Sequence, residues 1–102
     1  MSAALKIVID GGPYALAAGP DGAMWVTLVH SCAVARVTET GAVTVFPVDP
    51  QSRPSIITAG PDGAMWFTNP ANNSIGRITT NGTITITNYT DSTIAGPMVE
   101  SV

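Results

Sequence analysis

Few side chains in this sequence could carry chemistry near neutral pH. His30 is the single histidine and Cys32 the single cysteine in 102 residues, and they stand two positions apart in the stretch His30-Ser31-Cys32. An imidazole can take a proton from a substrate because its ordinary titration lies close to neutrality. A thiol becomes a nucleophile only beside a base, and His30 is the one base near Cys32. His30 therefore reads either as a general-base candidate or as an exposed loop residue. Ser31, Asn69, Asn72, Asn73, Asp49 and Arg53, with Asp91, supply polar groups that could line a ligand site. The asparagines equally suit tight turns, since their side chains hydrogen-bond the local backbone and tolerate the left-handed region. No set of side chains is assigned to a metal. The two glutamates, Glu39 and Glu100, fall at a turn and in the C-terminal tail.

The elements that must position these residues announce themselves by repetition. The words AGPDGAMW begin at Ala18 and recur unchanged at Ala59. Aligning 13–48 with 54–89 extends the match to Thr27 with Thr68, Arg36 with Arg77, Thr38 with Thr79, Gly41 with Gly82 and Thr44 with Thr85. Leu16/Ile57, Val34/Ile75, Val37/Ile78, Val43/Ile84 and Val45/Ile86 exchange one branched apolar residue for another, the mark of core positions. A period near 41 residues that is rich in short strands has the length of one four-stranded propeller blade, and the long amphipathic stretches of helical repeats are absent.

Turn signals divide each unit into four strands. Pro-Asp-Gly joins a first strand, Tyr14–Ala18 or Ser55–Ala59, to a second, Ala23–Leu28 or Ala64–Asn69. The third is Ala33–Thr38 or Ser74–Thr79, and Thr40-Gly41 or Asn81-Gly82 leads into an outer strand, Val43–Val48 or Thr83–Asn88, with clear period-2 alternation. Trp25 and Trp66 are expected mostly buried in the wedges between neighbouring blades. Arg36 and Arg77, at equal places in both units, are expected to make a repeated contact between blades. Asp21 and Asp62 are read as turn residues alone. The loops after each second strand and after each outer strand share one face, which gathers the candidate site residues.

The fold expected is therefore all-β, a single domain over 1–102 of two propeller blades, with extra strands at 5–9 and 97–102. Two blades leave open flanks. Such a chain must either associate into a ring or be a fragment of a longer protein; a ring of two-blade chains closes with an even blade number, and a homo-oligomer is expected, six-bladed as a trimer first and eight-bladed as a tetramer second.

Composition bounds the partners. Charged residues are 11% of the chain, the net charge is −3 and Lys plus Arg number four, too few to neutralise a nucleic-acid backbone or hold an acidic lipid surface. No apolar run is long enough to cross a bilayer, and MSAALKIVID lacks the pattern of a signal peptide, so a cytoplasmic protein is expected. The expected partners are other copies of the chain and a small molecule.

GPDGAMWFT, followed by an Asn-rich loop and then IGRIT with a turn glycine, resembles the repeat of the streptogramin B lyases, the virginiamycin B lyase family of propellers; WVTLVHSCAVARVTETG resembles it more loosely. The resemblance implies a propeller whose full-length members are seven-bladed. They open a cyclic depsipeptide antibiotic by elimination at its ester, with a histidine base and magnesium held by acidic and histidine side chains. His30 would then be the base and magnesium the cofactor. Where the family repeat often reads WFTE, this chain has Leu28 in one unit and Asn69 in the other. Weak or absent lyase activity follows from that departure, and a non-catalytic propeller binding a small molecule or glycan, or a structural self-assembling fragment, are the alternative readings.

Overall fold

The computed structural model describes residues 6–88. Eight strands follow in order: β1 Pro13–Ala18, β2 Met24–Leu28, β3 Ala33–Val37, β4 Val43–Pro47, β5 Ile57–Ala59, β6 Met65–Asn69, β7 Ser74–Ile78 and β8 Ile84–Asn88. They form two four-stranded antiparallel sheets, β1-β2-β3-β4 and β5-β6-β7-β8, each a meander with neighbours in sequence paired in space. The strands lie within a residue or two of the boundaries read from the repeat.

Each Pro-Asp-Gly turn closes the same way. Gly22 and Gly63 take φ of 82° and 81°, where a side chain would be strained. The Gly19 amide donates to the Ala23 carbonyl and the Gly60 amide to the Ala64 carbonyl, both at 2.8 Å. Registers coincide as well, with Trp25 opposite Arg36 in one sheet and Trp66 opposite Arg77 in the other.

The core lies between the sheets. The face of the first blade that carries Trp25 and Val34 packs on the face of the second that carries Met65, Phe67 and Ile78, with Val48 and Ile57 completing the cluster. Trp25 is 0% exposed and stacks on Phe46 at a centroid distance of 5.9 Å and 17° between planes. A hydroxyl pins the two blades together: buried Thr27 accepts from the Ala15 amide at 3.1 Å and donates to the Ser55 carbonyl of the second blade at 2.6 Å. Within the second blade, Phe67 faces Gly76 across the ladder where the first blade pairs Val26 with Ala35, so the larger ring occupies the space a smaller neighbour leaves.

Three expectations need correction. Of the branched apolar pairs read as core positions, Leu16, Val43, Val45 and Ile86 are exposed. Trp66 is only half-buried, because the face on which it stands has no blade packed against it among the described residues. Residues 6–9 run in no ladder among the described residues. Ile7 and Ile9 instead lie on a second apolar cluster, Val26, Leu28, Ala33, Ala35 and Val37, on the far face of the first blade. Leu5 and the strand expected at 97–102 lie outside the described residues. Among the described residues no helix is long and apolar enough to cross a membrane.

Candidate functional site

Each blade has two ends, and its polar side chains divide between them. At the β1–β2 and β5–β6 turns an aspartate is the hub of a repeated network. Asp21 accepts from the Ala23 amide and the Trp25 indole, both at 3.2 Å, and from Arg36 Nε at 2.6 Å. Asp62 accepts from the Ala64 amide at 3.2 Å, the Trp66 indole at 3.0 Å and Arg77 Nε at 2.7 Å. Arg77 also lies over the Trp66 ring, 6.0 Å from its centroid. Arg36 and Arg77 thus bind within their own blades, a correction to the contact expected between blades: cross-strand pairing sets each guanidinium beside its own tryptophan and turn. Asp21 and Asp62 do more than turn the chain. Glycine is required beside them, because a side chain at Gly19 or Gly60 would run into the indole.

The donors set the aspartate titrations. Burial raises the Asp21 carboxyl, but the hydrogen bonds from Arg36, Trp25 and the Ala23 amide outweigh it and hold the group below its ordinary value. The Trp66 indole first, then Arg77, draw Asp62 down from 3.8 to about 2.

The other end holds the residues singled out from sequence. The loop after β2 carries His30 and Ser31, both exposed. It is seated on Gly11-Gly12: the Gly12 carbonyl accepts from the Val29 amide at 3.0 Å, and the Gly11 carbonyl accepts from the His30 and Ser31 amides at 2.8 and 3.1 Å. The His30 ring covers Gly12 so closely that a side chain there would strike it. Cys32 follows in the left-handed region at φ 54°, and its thiol donates to the Pro50 carbonyl at 3.1 Å. That bond, with Val48 N to the Cys32 carbonyl at 2.9 Å, brings the β4–β5 connection beside the loop. Gly11-Gly12 carries no reactive side chain, which is why sequence reasoning passed over it.

Asp49 organises that connection. Its carboxylate accepts from the Gln51 amide at 2.9 Å, and its carbonyl accepts from the Ser52 amide at 2.9 Å and hydroxyl at 2.7 Å. Arg53 is exposed at φ 51°, the position that Gly12 fills one repeat earlier, and Ser55 Oγ donates to its carbonyl at 3.0 Å. In the second blade Asn69 is fully buried, its amide donating to Ser74 Oγ at 3.1 Å, and Ser74 Oγ donates to Asn72 Oδ1 at 2.5 Å. Asn73 sits at φ 56°, matching Cys32 one repeat earlier. Asn69 Oδ1 is buried with no hydrogen-bond donor among the described residues. Asp91 lies outside the described residues.

His30, Ser31, Cys32 and Asp49 are thus gathered at one end, while Asn69, Asn72 and Ser74 form a separate cluster in the second blade. Asp21 and Asp62 are at the opposite end, a strand length of roughly 17 Å away at about 3.3 Å per residue. Among the described residues no three of the His, Cys, Asp and Glu side chains come together as a set that could hold a metal ion, so the donors present do not fit magnesium.

The same blades occur in known proteins. Residues 4–99 match the sequence profile of the virginiamycin B lyase family. The virginiamycin B lyase of Mycolicibacterium smegmatis is 77% identical over 56 residues, 55% of this chain and 20% of that protein. That of Streptomyces coelicolor is 68% identical over 40 residues, 38% of this chain and 13% of that protein. Selenomethionine-substituted virginiamycin B lyase from Staphylococcus aureus superposes with a TM-score of 0.77 at 36% identity, covering 85% of this chain and 33% of that one. A catalytically inactive histidine-to-alanine variant of the Staphylococcus aureus enzyme, solved with quinupristin, superposes with a TM-score of 0.77 at 38% identity, over 81% of this chain and 29% of that one. The chain spans a fifth or less of the length of these curated relatives and about a third of the solved chains. Those neighbours are β-propellers, so the two sheets are propeller blades. With nearly the whole chain matched by one family and its blades superposing on that family's structures, the chain belongs to the virginiamycin B lyase family.

Proposed function

We propose that this chain is a blade pair of a virginiamycin B lyase-like propeller that supplies scaffold rather than a complete catalytic centre, and that by itself it linearises streptogramin B antibiotics weakly or not at all. The observation that carries this reading is the distance of the two networked carboxylates, Asp21 and Asp62, from the one described histidine. Asp21 and Asp62 are engaged by tryptophan and arginine at one end of the blades, while His30 stands at the other among glycine carbonyls and a thiol. Elimination at an ester needs a base at the carbon acid and an electrophile at the developing enolate within one site. His30 is the group that could remove the proton, and although Asp49 stands at the same end, no three of the described His, Cys, Asp and Glu side chains come together to hold a cation. At the positions after Thr27 and Thr68, Leu28 offers no ligand atom and Asn69 is turned into a buried hydrogen bond with Ser74.

The test is linearisation of a streptogramin B antibiotic by the 102-residue chain, with and without magnesium, followed by chromatography. Turnover close to background, unchanged in His30→Ala, is expected. Magnesium-dependent turnover that His30→Ala abolishes would overturn the reading and make His30 the general base. A non-catalytic propeller that binds a small molecule is the second reading, favoured by the buried, unpartnered Asn69 Oδ1. Calorimetric titration of the antibiotic into the wild-type chain and Asn69→Leu compares them: binding lost in the variant supports the second reading, and equal heats refute it.

A further inference from the structure

We infer that the apolar groove on the outer face of the first blade is a socket for Trp66 of a second copy of this chain, joining copies head to tail. The groove encloses about 350 Å³, and its lining includes Ile7, Leu16, Met24, Val26 and Val37. Advancing each by one repeat of 41 residues gives Val48, Ile57, Met65, Phe67 and Ile78. Those are the five residues that bury Trp25, with Val34, in the interface between the blades. Among the described residues this tryptophan socket therefore occurs twice, once filled by Trp25 of the same chain and once with no described tryptophan seated in it.

The matching plug stands at the other end of the chain. Trp66, Thr68 and Ile75 repeat Trp25, Thr27 and Val34, which are completely buried, yet all three are only half-buried. The polar complement recurs too. Thr27 takes the Ala15 amide and gives its hydroxyl proton to the Ser55 carbonyl across the interface. Thr68 takes the Ile56 amide at 3.2 Å in the same way, which leaves its proton to give. The carbonyl 41 residues before Ser55 is that of Tyr14, beside the groove on a residue 63% exposed. Ile7 does not obstruct the socket: it stands where Val48 stands in the filled one. Phe67 is replaced by Val26 in the open socket, leaving more room for the indole. Such a contact is heterologous and extends until a ring closes. The inference concerns assembly and is independent of whether the chain turns over a substrate.

Two charge insertions and their mixture test it. Leu16→Glu blocks the groove at a residue 62% exposed in the free chain, and Ile75→Glu blocks the opposite face. Far-ultraviolet dichroism checks folding, and Tyr14→Glu repeats the groove block at another exposed residue. Sedimentation is expected to show the wild type as an oligomer and each variant as a 10.4 kDa chain. An equimolar mixture regains one sound interface and sediments as a dimer of one copy of each. Acrylamide is expected to quench one of the two tryptophans in Leu16→Glu alone and to lose much of that quenching on addition of Ile75→Glu. A mixture that stays monomeric, variants that assemble like the wild type, or a monomeric wild type whose Trp66 is already shielded by another segment of its own chain would each overturn the inference.

Discussion

Asp62 shows how much of this fold hangs on single polar atoms. The Trp66 indole, and with it Arg77, favours its ionised form and lowers the carboxyl from 3.8 to about 2; Asp21 moves in the same direction. A depressed carboxylate contributes stability that is complete above its unfolded value and is lost as pH falls through the folded one. Stability is thus expected to decline between about pH 4 and 2, and Asp62→Asn should be less stable at neutral pH with a shallower decline over that window. Urea unfolding followed by tryptophan emission at a series of pH values measures it, and parallel profiles would contradict the assignment. This hub was half legible in sequence. Asp21 stands four residues before Trp25 and declares a turn, but Arg36 is fifteen residues further on, and only the strand register brings it back. Gly76 was hidden for another reason: its role depends on the ring of Phe67 opposite. Gly76→Ala is expected to cost about 1–3 kcal/mol by overpacking. Adding Phe67→Val rebuilds the Val26–Ala35 pair of the first blade and should recover most of that loss in thermal denaturation, whereas simple additivity of the two costs would refute the pairing.

At the scale of elements, strands were readable because hydrophobic alternation and turn residues are local. Their ends were less so. The first strand of the second blade was expected from Ser55, but the regular ladder starts at Ile57, while Ser55 N and Ile56 O still bond to the two polar atoms of the Thr68 backbone at 2.9 Å. How blades face one another rests on contacts between residues tens of positions apart, of which Thr27 is the most specific. Thr27→Val keeps the shape and removes the hydroxyl, stranding the Ala15 amide and the Ser55 carbonyl. A loss of about 1–3 kcal/mol is expected by denaturant titration, and Thr27→Ser should restore most of it. Trp25→Ala is expected to cost about 3–5 kcal/mol. In a chain kept monomeric by Leu16→Glu, the same change at Trp66 should cost clearly less, because that indole is half-buried. Equal costs would mean that Trp66 is covered within its own chain.

For the whole molecule, one interface between blades is complete inside the chain, and its two halves are displayed again at the ends: an open groove on the first blade and a half-buried Trp66 on the second. The repeat made this legible in outline, since two blades cannot close a ring. It could not show which side chains form socket and plug, because identity along the repeat says nothing about which face of a strand packs on which. If copies join as the blades do, blade number rises by two with each copy, and six blades from three copies is the smallest of the closures expected. Light scattering on the unmodified chain at micromolar concentration tests this most directly. About three times the 10.4 kDa chain mass is expected, with both tryptophans shielded from acrylamide, and a stable particle of one chain mass with Trp66 open to quencher would contradict assembly by this contact.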